Sequence, residues 1–217
     1  MPKTEAAQRH DGTYVTDELR RAITAGELAP NQRLIEADLT EQYDASRGAV
    51  RLALANLAAE GLVERIQNRG SRVRAIDLDE ALEIVELRAA LESICAAKAA
   101  ERADDTGVAA LKAVGERMRR AVDDGDTETY SAGNKELHEL ILRLSGMKVA
   151  PGVVNRLRAQ NVRYRIRLAR HHNRPNVSLP EHLEIINAIS DHDAPRAATA
   201  METHLKSVLE ATRTYFS

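Results

Sequence analysis

The spacing of apolar residues divides the chain into two stretches with different patterns. In the first stretch, apolar positions recur three or four residues apart and predict helices over 13–26, 36–43 and 46–60. Ser46 is a good N-cap for the third of these helices. Two short apolar runs follow, and Asn68-Arg69-Gly70 supplies turn chemistry between them, which predicts a β-hairpin over 62–66 and 72–76. Three helices followed by a hairpin are typical of a winged helix-turn-helix.

From Asp77 onward the pattern is helical only, with no alternation that would indicate strands. Cap residues at Asp77, Asp126, Asp193 and Ser178, the last followed by Pro180, support the starts of four helices. The sequence therefore predicts a mostly α protein with a winged helix-turn-helix domain over 1–76 and an all-helical domain over 77–217. The six helices expected in the second domain cover 77–102, 106–124, 127–145, 149–172, 179–191 and 194–215.

Composition narrows the class of protein without naming it. The formal net charge of -2 over 217 residues argues against a protein that coats nucleic acid through its overall charge. The single cysteine, Cys95, excludes an intrachain disulfide and is expected to be a buried core residue. No run resembles a signal peptide or a membrane span, so a cytoplasmic protein without a membrane partner is expected.

Positive charge is concentrated on the predicted third helix and the hairpin. Residues 46–74 contain six arginines and only two glutamates. Arg47 and Arg51 share one face near the start of the third helix, the end that a recognition helix inserts into the major groove, where arginine pairs with guanine. Gly70 would let the hairpin backbone approach DNA closely. The alternative is an ordinary solvated basic face.

The segment from Leu19 to Val73 resembles the GntR family of bacterial regulators. Asn31, Ala49 and Leu52 depart from the family pattern, which has Gly, Pro and Glu at these positions. The resemblance implies double-stranded DNA binding through Ser46, Arg47, Arg51, Arg69 and Gly70. The family pattern is matched by Ile23, Gly26, Leu28 and Pro30, then by Ser46, Arg47, Val50, Arg51, Ala53 and Leu54, and finally by Leu57, Gly61, Leu62, Val63 and Gly70.

Three histidines lie on apolar helix faces in the second domain. His138, His182 and His204 each have aliphatic neighbours at helical spacing on a different predicted helix. One such histidine is usually a core residue with satisfied hydrogen bonds, but three that converge suit a divalent metal ion such as Zn²⁺ or Ni²⁺. The alternative is a metal-free polar pocket that binds a ligand directly.

Residues 77–217 resemble the FCD ligand-binding domain of the FadR subfamily, in its shorter six-helix, VanR-like form. Many FCD proteins have an Asp ligand four residues before the first histidine, where this chain has Asn134. The resemblance implies a metal site of Asn134, His138, His182 and His204. The matching motifs are Arg88-x-x-Leu91-Glu92, Asn134-x-x-x-His138, Glu181-His182-x-x-Ile185 and Met201-x-x-His204.

A positive pocket of this kind favours a small carboxylate effector that completes the metal coordination. Arg88 is the candidate for a bidentate clamp on that carboxylate. The alternative for Arg88 is a structural ion pair with Glu92 or another neighbour.

Two segments of the second domain carry opposite charge. Residues 149–177 contain seven arginines and no acidic residue, whereas residues 77–105 contain nine acidic and three basic residues. We expect these segments to meet, either within one subunit or across a dimer.

The patterns together predict a ligand-responsive transcription regulator and not an enzyme. The expected protein is a homodimeric repressor that a carboxylate effector releases from a palindromic operator. The alternatives are a metal-dependent hydrolytic enzyme that uses the histidine cluster and an architectural DNA-binding protein. No His-Glu-x-x-His pattern supports the enzyme.

Overall fold

The computed structural model describes residues 10–67, 69–169, 171 and 173–216. The chain forms two compact units, Met1–Ile76 and Asp77–Ser217. The elements of the first unit are α1 (Gly12–Ala25), β1 (Arg33–Leu34), α2 (Glu36–Gln42), α3 (Arg47–Ala59), β2 (Val63–Ile66) and β3 (Gly70–Val73).

Local capping determines where the helices of the first unit begin and end. The side chain of Asp11 accepts a hydrogen bond from the Tyr14 N–H at the start of α1, and Ser46 accepts one from the Ala49 N–H at the start of α3. Gly26 ends α1 in the left-handed conformation, with φ of 79°. Asn31 also adopts a left-handed conformation, with φ of 65°, which explains how it replaces the family's usual glycine.

The wing is a three-stranded antiparallel sheet with the order β1-β3-β2. The predicted second hairpin strand over 72–76 was wrong in position, because the strand covers Gly70–Val73 and pairs with both neighbours. The two-residue strand β1 was not predicted, since it forms only by pairing with a distant segment. Asn68, part of the predicted turn, lies outside the described residues.

The second unit consists of helices packed around an aliphatic core. Asp77 and Asp126 cap their helices as predicted, by accepting hydrogen bonds from the Glu80 and Thr129 N–H groups. Its elements are α4 (Leu78–Arg102), α5 (Asp105–Asp123), α6 (Thr127–Leu144), α7 (Ala150–Gln160), α8 (Val162–Ala169), α9 (Arg174–Ser190) and α10 (Ala194–Phe216).

Two helix predictions in this unit were wrong. The helix expected over 149–172 is divided into α7 and α8 at Asn161, whose buried side chain donates a hydrogen bond to the Ala81 carbonyl oxygen on α4. The helix expected to start after Ser178 begins at Arg174, so that Pro180 lies inside α9. The first difference reflects a tertiary contact, whereas the observed start of α9 agrees with a local signal, Pro175 in its first turn.

The core of the helical unit is formed by α4, α5, α6, α9 and α10. Leu111, Leu137, Ile185 and Met201 are fully buried in it, and burial of each such side chain contributes about 1.5–3 kcal/mol. Gly133 on α6 permits close helix contact, since a Cβ there would lie 2.6 Å from Met118 Cγ on α5. This core fixes the faces of α6, α9 and α10 that carry the three histidines.

Candidate DNA interface and histidine site

The candidate DNA-contacting residues lie exposed at the start of α3 and at the tip of the wing. Arg47 and Arg51 are exposed, whereas Val50, Ala53, Leu54 and Leu57 on the opposite face of α3 are buried. Arg69 and Gly70 are exposed at the turn between β2 and β3, where Gly70 has φ of 84° and open space around its Cα. The fold of this unit therefore leaves both arginine groups available to a ligand.

Arg51 has a partner on the preceding helix. Its Nε donates to Glu36 Oε2 on α2 at 2.7 Å, and the Arg51 side chain remains 65% exposed. The contact involves Nε only, so the two terminal nitrogens stay available for a bidentate contact with a base. Ser46 uses its hydroxyl as the cap of α3 and so determines where this helix begins.

The helical unit brings the three predicted histidines together. His138 on α6, His182 on α9 and His204 on α10 are each at most 3% exposed. Their ring centroids are 4.2–5.7 Å apart, and one ring nitrogen from each lies within 4.8 Å of the others. The three imidazoles are candidates for one shared ion, which would draw their nitrogens in to distances of about 2.0–2.1 Å.

Each imidazole is oriented by an outer hydrogen bond through Nδ1. His138 Nδ1 lies 2.6 Å from Glu92 Oε2, and His204 Nδ1 lies 2.8 Å from Glu181 Oε2. His182 Nδ1 lies 3.0 Å from the hydroxyl of Tyr130. Carboxylate or hydroxyl partners on the outer nitrogen are the arrangement that orients metal-binding histidines, since Nε2 is then left for the ion.

The electrostatics favour neutral imidazoles, the form that binds metals. Burial lowers the pKa of His138 to about 4, although Glu92 opposes the shift. Burial would raise the pKa of Glu92, but Arg88 and His138 hold it well below its usual range. An ionised Glu92 only accepts hydrogen bonds, so His138 donates from Nδ1. Burial and the neighbouring imidazoles also lower the pKa of His182 and His204.

Two buried polar atoms at this cluster have no hydrogen-bond partner among the described residues. They are Asn134 Oδ1 and His182 Nε2, and both residues belong to the predicted ligand set. A buried acceptor without a partner costs about 1–3 kcal/mol. Neutral nitrogen and amide-oxygen acceptors in this state fit a divalent cation, which would satisfy them.

A cavity of about 110 Å³ adjoins the cluster. Asn134, His138 and His204 line it together with Arg88. The Arg88 Nε also donates to Glu92 Oε1 at 2.8 Å in a buried ion pair. Both hypotheses for Arg88 are therefore compatible, because the ion pair involves Nε and the residue still lines the cavity.

The sequence did not predict Glu92, Tyr130 and Glu181 as the outer partners of the histidines. It suggested Glu92 only as a partner of Arg88. It also missed three arginines that line the cavity, Arg158, Arg165 and Arg174. The acid-free run over 149–177 is the available signal, but it predicts only a contact with the acidic segment over 77–105. Residues 77–105 and 149–177 do meet within the subunit, since α4 packs against α7.

Together the exposed basic helix, the wing and the helical unit define a helix-turn-helix transcription regulator with a ligand-binding domain. Two family profiles match: "Bacterial regulatory proteins, gntR family" over residues 12–73 and "FCD domain" over residues 83–207. The chain belongs to the GntR family of bacterial regulators, with a C-terminal FCD domain. Its relatives are DNA-binding regulators, so the enzyme hypothesis is set aside.

Individual relatives agree with this assignment. An uncharacterized HTH-type transcriptional regulator of Streptomyces ambofaciens is 32% identical, over 97% of this chain and 87% of the relative. The transcriptional repressor RspR of Escherichia coli K12 is 27% identical, over 90% and 86%. The structure of E. coli McbR/YncC superposes with a TM-score of 0.80 at 20% identity, covering 95% and 98%, which confirms the predicted fold class.

None of the described helices is long and apolar enough to cross a membrane.

Proposed function

We propose that this regulator is a repressor whose operator affinity falls when a small carboxylate binds in the helical unit. The observation that carries the proposal is the histidine cluster with its outer Nδ1 partners and two inner polar atoms, Asn134 Oδ1 and His182 Nε2, that have no hydrogen-bond partner among the described residues. Packing alone does not require buried polar atoms of this kind, so the arrangement supports a ligand site. The similarity to the transcriptional repressors RspR and NanR supports the direction of regulation.

A divalent ion, Zn²⁺ or Ni²⁺, would be held by Asn134, His138, His182 and His204. When bound, it supplies a Lewis acid with open positions that a carboxylate completes. Asn134 contributes a neutral oxygen, so this donor set leaves the full charge of the cation for the effector. Arg88 lines the adjoining cavity, where it would bind the same carboxylate.

The operator contacts are assigned to Ser46, Arg47 and Arg51 on α3 and to Arg69 and Gly70 on the wing. Arg47 and Arg51 would bind guanine in the major groove, and the wing would contact the backbone or minor groove. A palindromic operator requires two copies of this unit.

We assign the second copy to a homodimer formed through the helical unit. Leu87 and Ile94 are each 49% exposed and lie two turns apart on one face of α4. The neighbouring helix α7 exposes Val153. An apolar surface across two packed helices supports a self-complementary contact of this kind.

The first test is binding of the purified full chain to DNA from upstream of its own gene, measured by fluorescence anisotropy over a salt series. Each bidentate base contact contributes about 1–3 kcal/mol, so the double variant Arg47→Ala/Arg51→Ala should bind the operator about 30- to 10⁴-fold more weakly. Arg21→Ala, an exposed arginine on α1, is the matched control and should bind normally. Equal binding by the double variant would contradict the assigned interface.

The second part of the test adds ligand to the protein–DNA complex. With Zn²⁺ or Ni²⁺ present, a screen of small carboxylates should find one that weakens operator binding, and His138→Gln should abolish the response. If the acid acts equally after chelation of the metal, the metal-free pocket is correct. If no acid changes operator affinity in either state, the proposal of a carboxylate-responsive repressor is wrong.

A further inference from the structure

The cavity beside the histidine cluster contains more positive charge than one carboxylate requires. Among the described residues, four arginines line it, from α4, α7, α8 and α9. The buried carboxylate nearest to them, Glu92, is already bound by Arg88 Nε and His138 Nδ1. The arginines that line the cavity are Arg88, Arg158, Arg165 and Arg174.

Arg158 is the least satisfied of these side chains. It is 6% exposed, and its Nη1 is buried with no hydrogen-bond partner in the part of the chain that the structure describes. Burial lowers the pKa of Arg158, and Arg88 repels it further, whereas Glu92 is the main attractive charge. A guanidinium in this state is costly in the folded protein, because buried charge is stable only when it is paired and hydrogen-bonded.

Arg165 places a second positive charge next to Arg158. Its Nη1 donates to the main-chain carbonyl oxygen of Arg158 at 3.1 Å, so the two residues are held together. Burial, and then repulsion from Arg158 and Arg88, lower the pKa of Arg165 to about 9. Glu92 and Glu139 offset part of this repulsion, and an anion in the cavity would offset more of it.

Arg174 on α9 differs in having a side-chain hydrogen bond and an ion pair, although its Nη2 makes no hydrogen bond among the described residues. Its Nη1 donates to Ser207 Oγ at 2.9 Å, and its Nη2 lies 3.5 Å from Glu181 Oε2. Glu181 in turn orients His204. Arg174 therefore belongs to the support of the histidine cluster, whereas Arg158 and Arg165 have no side-chain ion pair among the described residues and feel Glu92 and Glu139 only as nearby charges.

The volume of the cavity limits the size of the ligand. At about 10–15 Å³ per water-sized position, the 110 Å³ cavity holds roughly seven to eleven such positions. A molecule with two anionic groups and a short carbon chain fits this limit, whereas a drug-sized ligand needs roughly 300 Å³ or more.

We propose that the effector is a small dianion, with one anionic group at the histidine cluster and Arg88 and a second group bound by Arg158 and Arg165. The second group would be a carboxylate or a phosphoryl-type group, since both form charge-assisted bonds with guanidinium. This inference rests on the proposed function, because it places the first group at the proposed carboxylate site.

Isothermal titration of the metal-loaded full chain tests the inference with acids matched in chain length. Malonate, succinate and glutarate are compared with propanoate, butanoate and pentanoate, and 3-phosphonopropanoate is compared with succinate. At least one diacid or the phosphono acid should bind about 10- to 100-fold more tightly than its monoacid, the range expected for a charge-assisted contact. The comparison with 3-phosphonopropanoate identifies the preferred second group.

The variant Arg158→Gln assigns the preference to a residue. It should bind monoacids within about threefold of the wild type and lose most of the preference for the dianion. Its melting temperature without ligand should not fall, because the wild type buries an unpaired charge there. Arg156→Gln, an exposed arginine on the same helix, is the control. If Arg158→Gln does not fold, Arg165→Gln provides the same comparison.

The outcomes separate this inference from the proposed function. The dianion proposal is wrong if monoacids bind as tightly as their diacids, or if Arg158→Gln weakens the binding of both classes of acid equally. The proposed carboxylate site would stand in either case. If no acid of either class binds the metal-loaded protein, both proposals fail. If dianions bind selectively but leave operator affinity unchanged, the dianion site is supported and the repressor mechanism fails.

Discussion

The arginines of the two units are in opposite physical situations. In the winged helix-turn-helix, Arg47, Arg51 and Arg69 are exposed, so water solvates them until DNA binds. In the helical unit, Arg88 and Arg158 are less than a tenth exposed. The first kind of site can be altered without affecting the fold, whereas the second couples the stability of its unit to whatever occupies the cavity.

The two arginine–glutamate pairs show the same contrast. Arg51 and Glu36 have similar geometry to Arg88 and Glu92, with Nε–Oε distances of 2.7 and 2.8 Å. The first pair is 65% and 41% exposed and contributes about 0–1 kcal/mol. The second is 4% and 2% exposed, where removal of one partner costs about 3–5 kcal/mol. A substitution at the exposed pair therefore has little effect on stability, whereas one at the buried pair changes stability strongly.

The largest effect is expected when a histidine of the interior site is replaced. His182→Gln removes an inner acceptor and should weaken Zn²⁺ or Ni²⁺ binding by more than about 100-fold, the upper end for loss of an outer partner. Metal at 100 times its Kd stabilises the wild type by about 2.7 kcal/mol, and the variant should lose most of this gain in thermal unfolding. His171→Gln, an exposed histidine, should keep it. An unchanged metal response in His182→Gln would exclude the site.

A smaller effect is expected when only the outer support is removed. Tyr130→Phe deletes the hydroxyl that lies 3.0 Å from His182 Nδ1 and alters no charge. The imidazole then loses its orientation, so metal affinity should fall about 10- to 100-fold. Competition with a fluorescent chelator measures this change. Tyr14→Phe, an exposed position in the other unit, is the control, and equal affinities for both variants would mean that the hydrogen bond does not orient His182.

Features that depend on residues close together in the sequence could be predicted, whereas features that depend on distant residues could not. Caps such as Ser46 and Asp77 were predictable, because each bonds an N–H three residues away. The three histidines were predictable from the apolar faces of their own helices. The break at Asn161 was not, since it depends on a contact with Ala81 on α4.

The interior site required pairings that no local pattern records. Glu92 and His138 are 46 residues apart, and Tyr130 and His182 are 52 residues apart. The arginine run over 149–177 was visible in the sequence, but only the packing of α7 and α8 shows which arginines line the cavity. Exposed sites depend on short segments and can be predicted, whereas interior sites are assembled from several helices.

The smallest effect is expected on the free energy of unfolding, when one glycine in each unit is replaced by alanine. Gly48 lies exposed on α3, and a Cβ there would meet only Ser46 Oγ at 3.7 Å. Gly48→Ala should therefore stabilise the protein by about 0.5–1 kcal/mol, the usual gain of Ala over Gly within a helix. Gly133→Ala should destabilise it by about 1–3 kcal/mol, because the added Cβ would lie 2.6 Å from Met118 Cγ.

Urea unfolding of both variants, without metal, measures this difference in sign. Operator affinity should be measured for Gly48→Ala as well, since Gly48 lies between the candidate base-contacting residues Arg47 and Arg51 on α3. A stabilised Gly48→Ala variant with weakened DNA binding would show that the exposed site is separable from the stability of its fold. A destabilised Gly48→Ala variant would show that the recognition helix is constrained by packing, as the interior helices are.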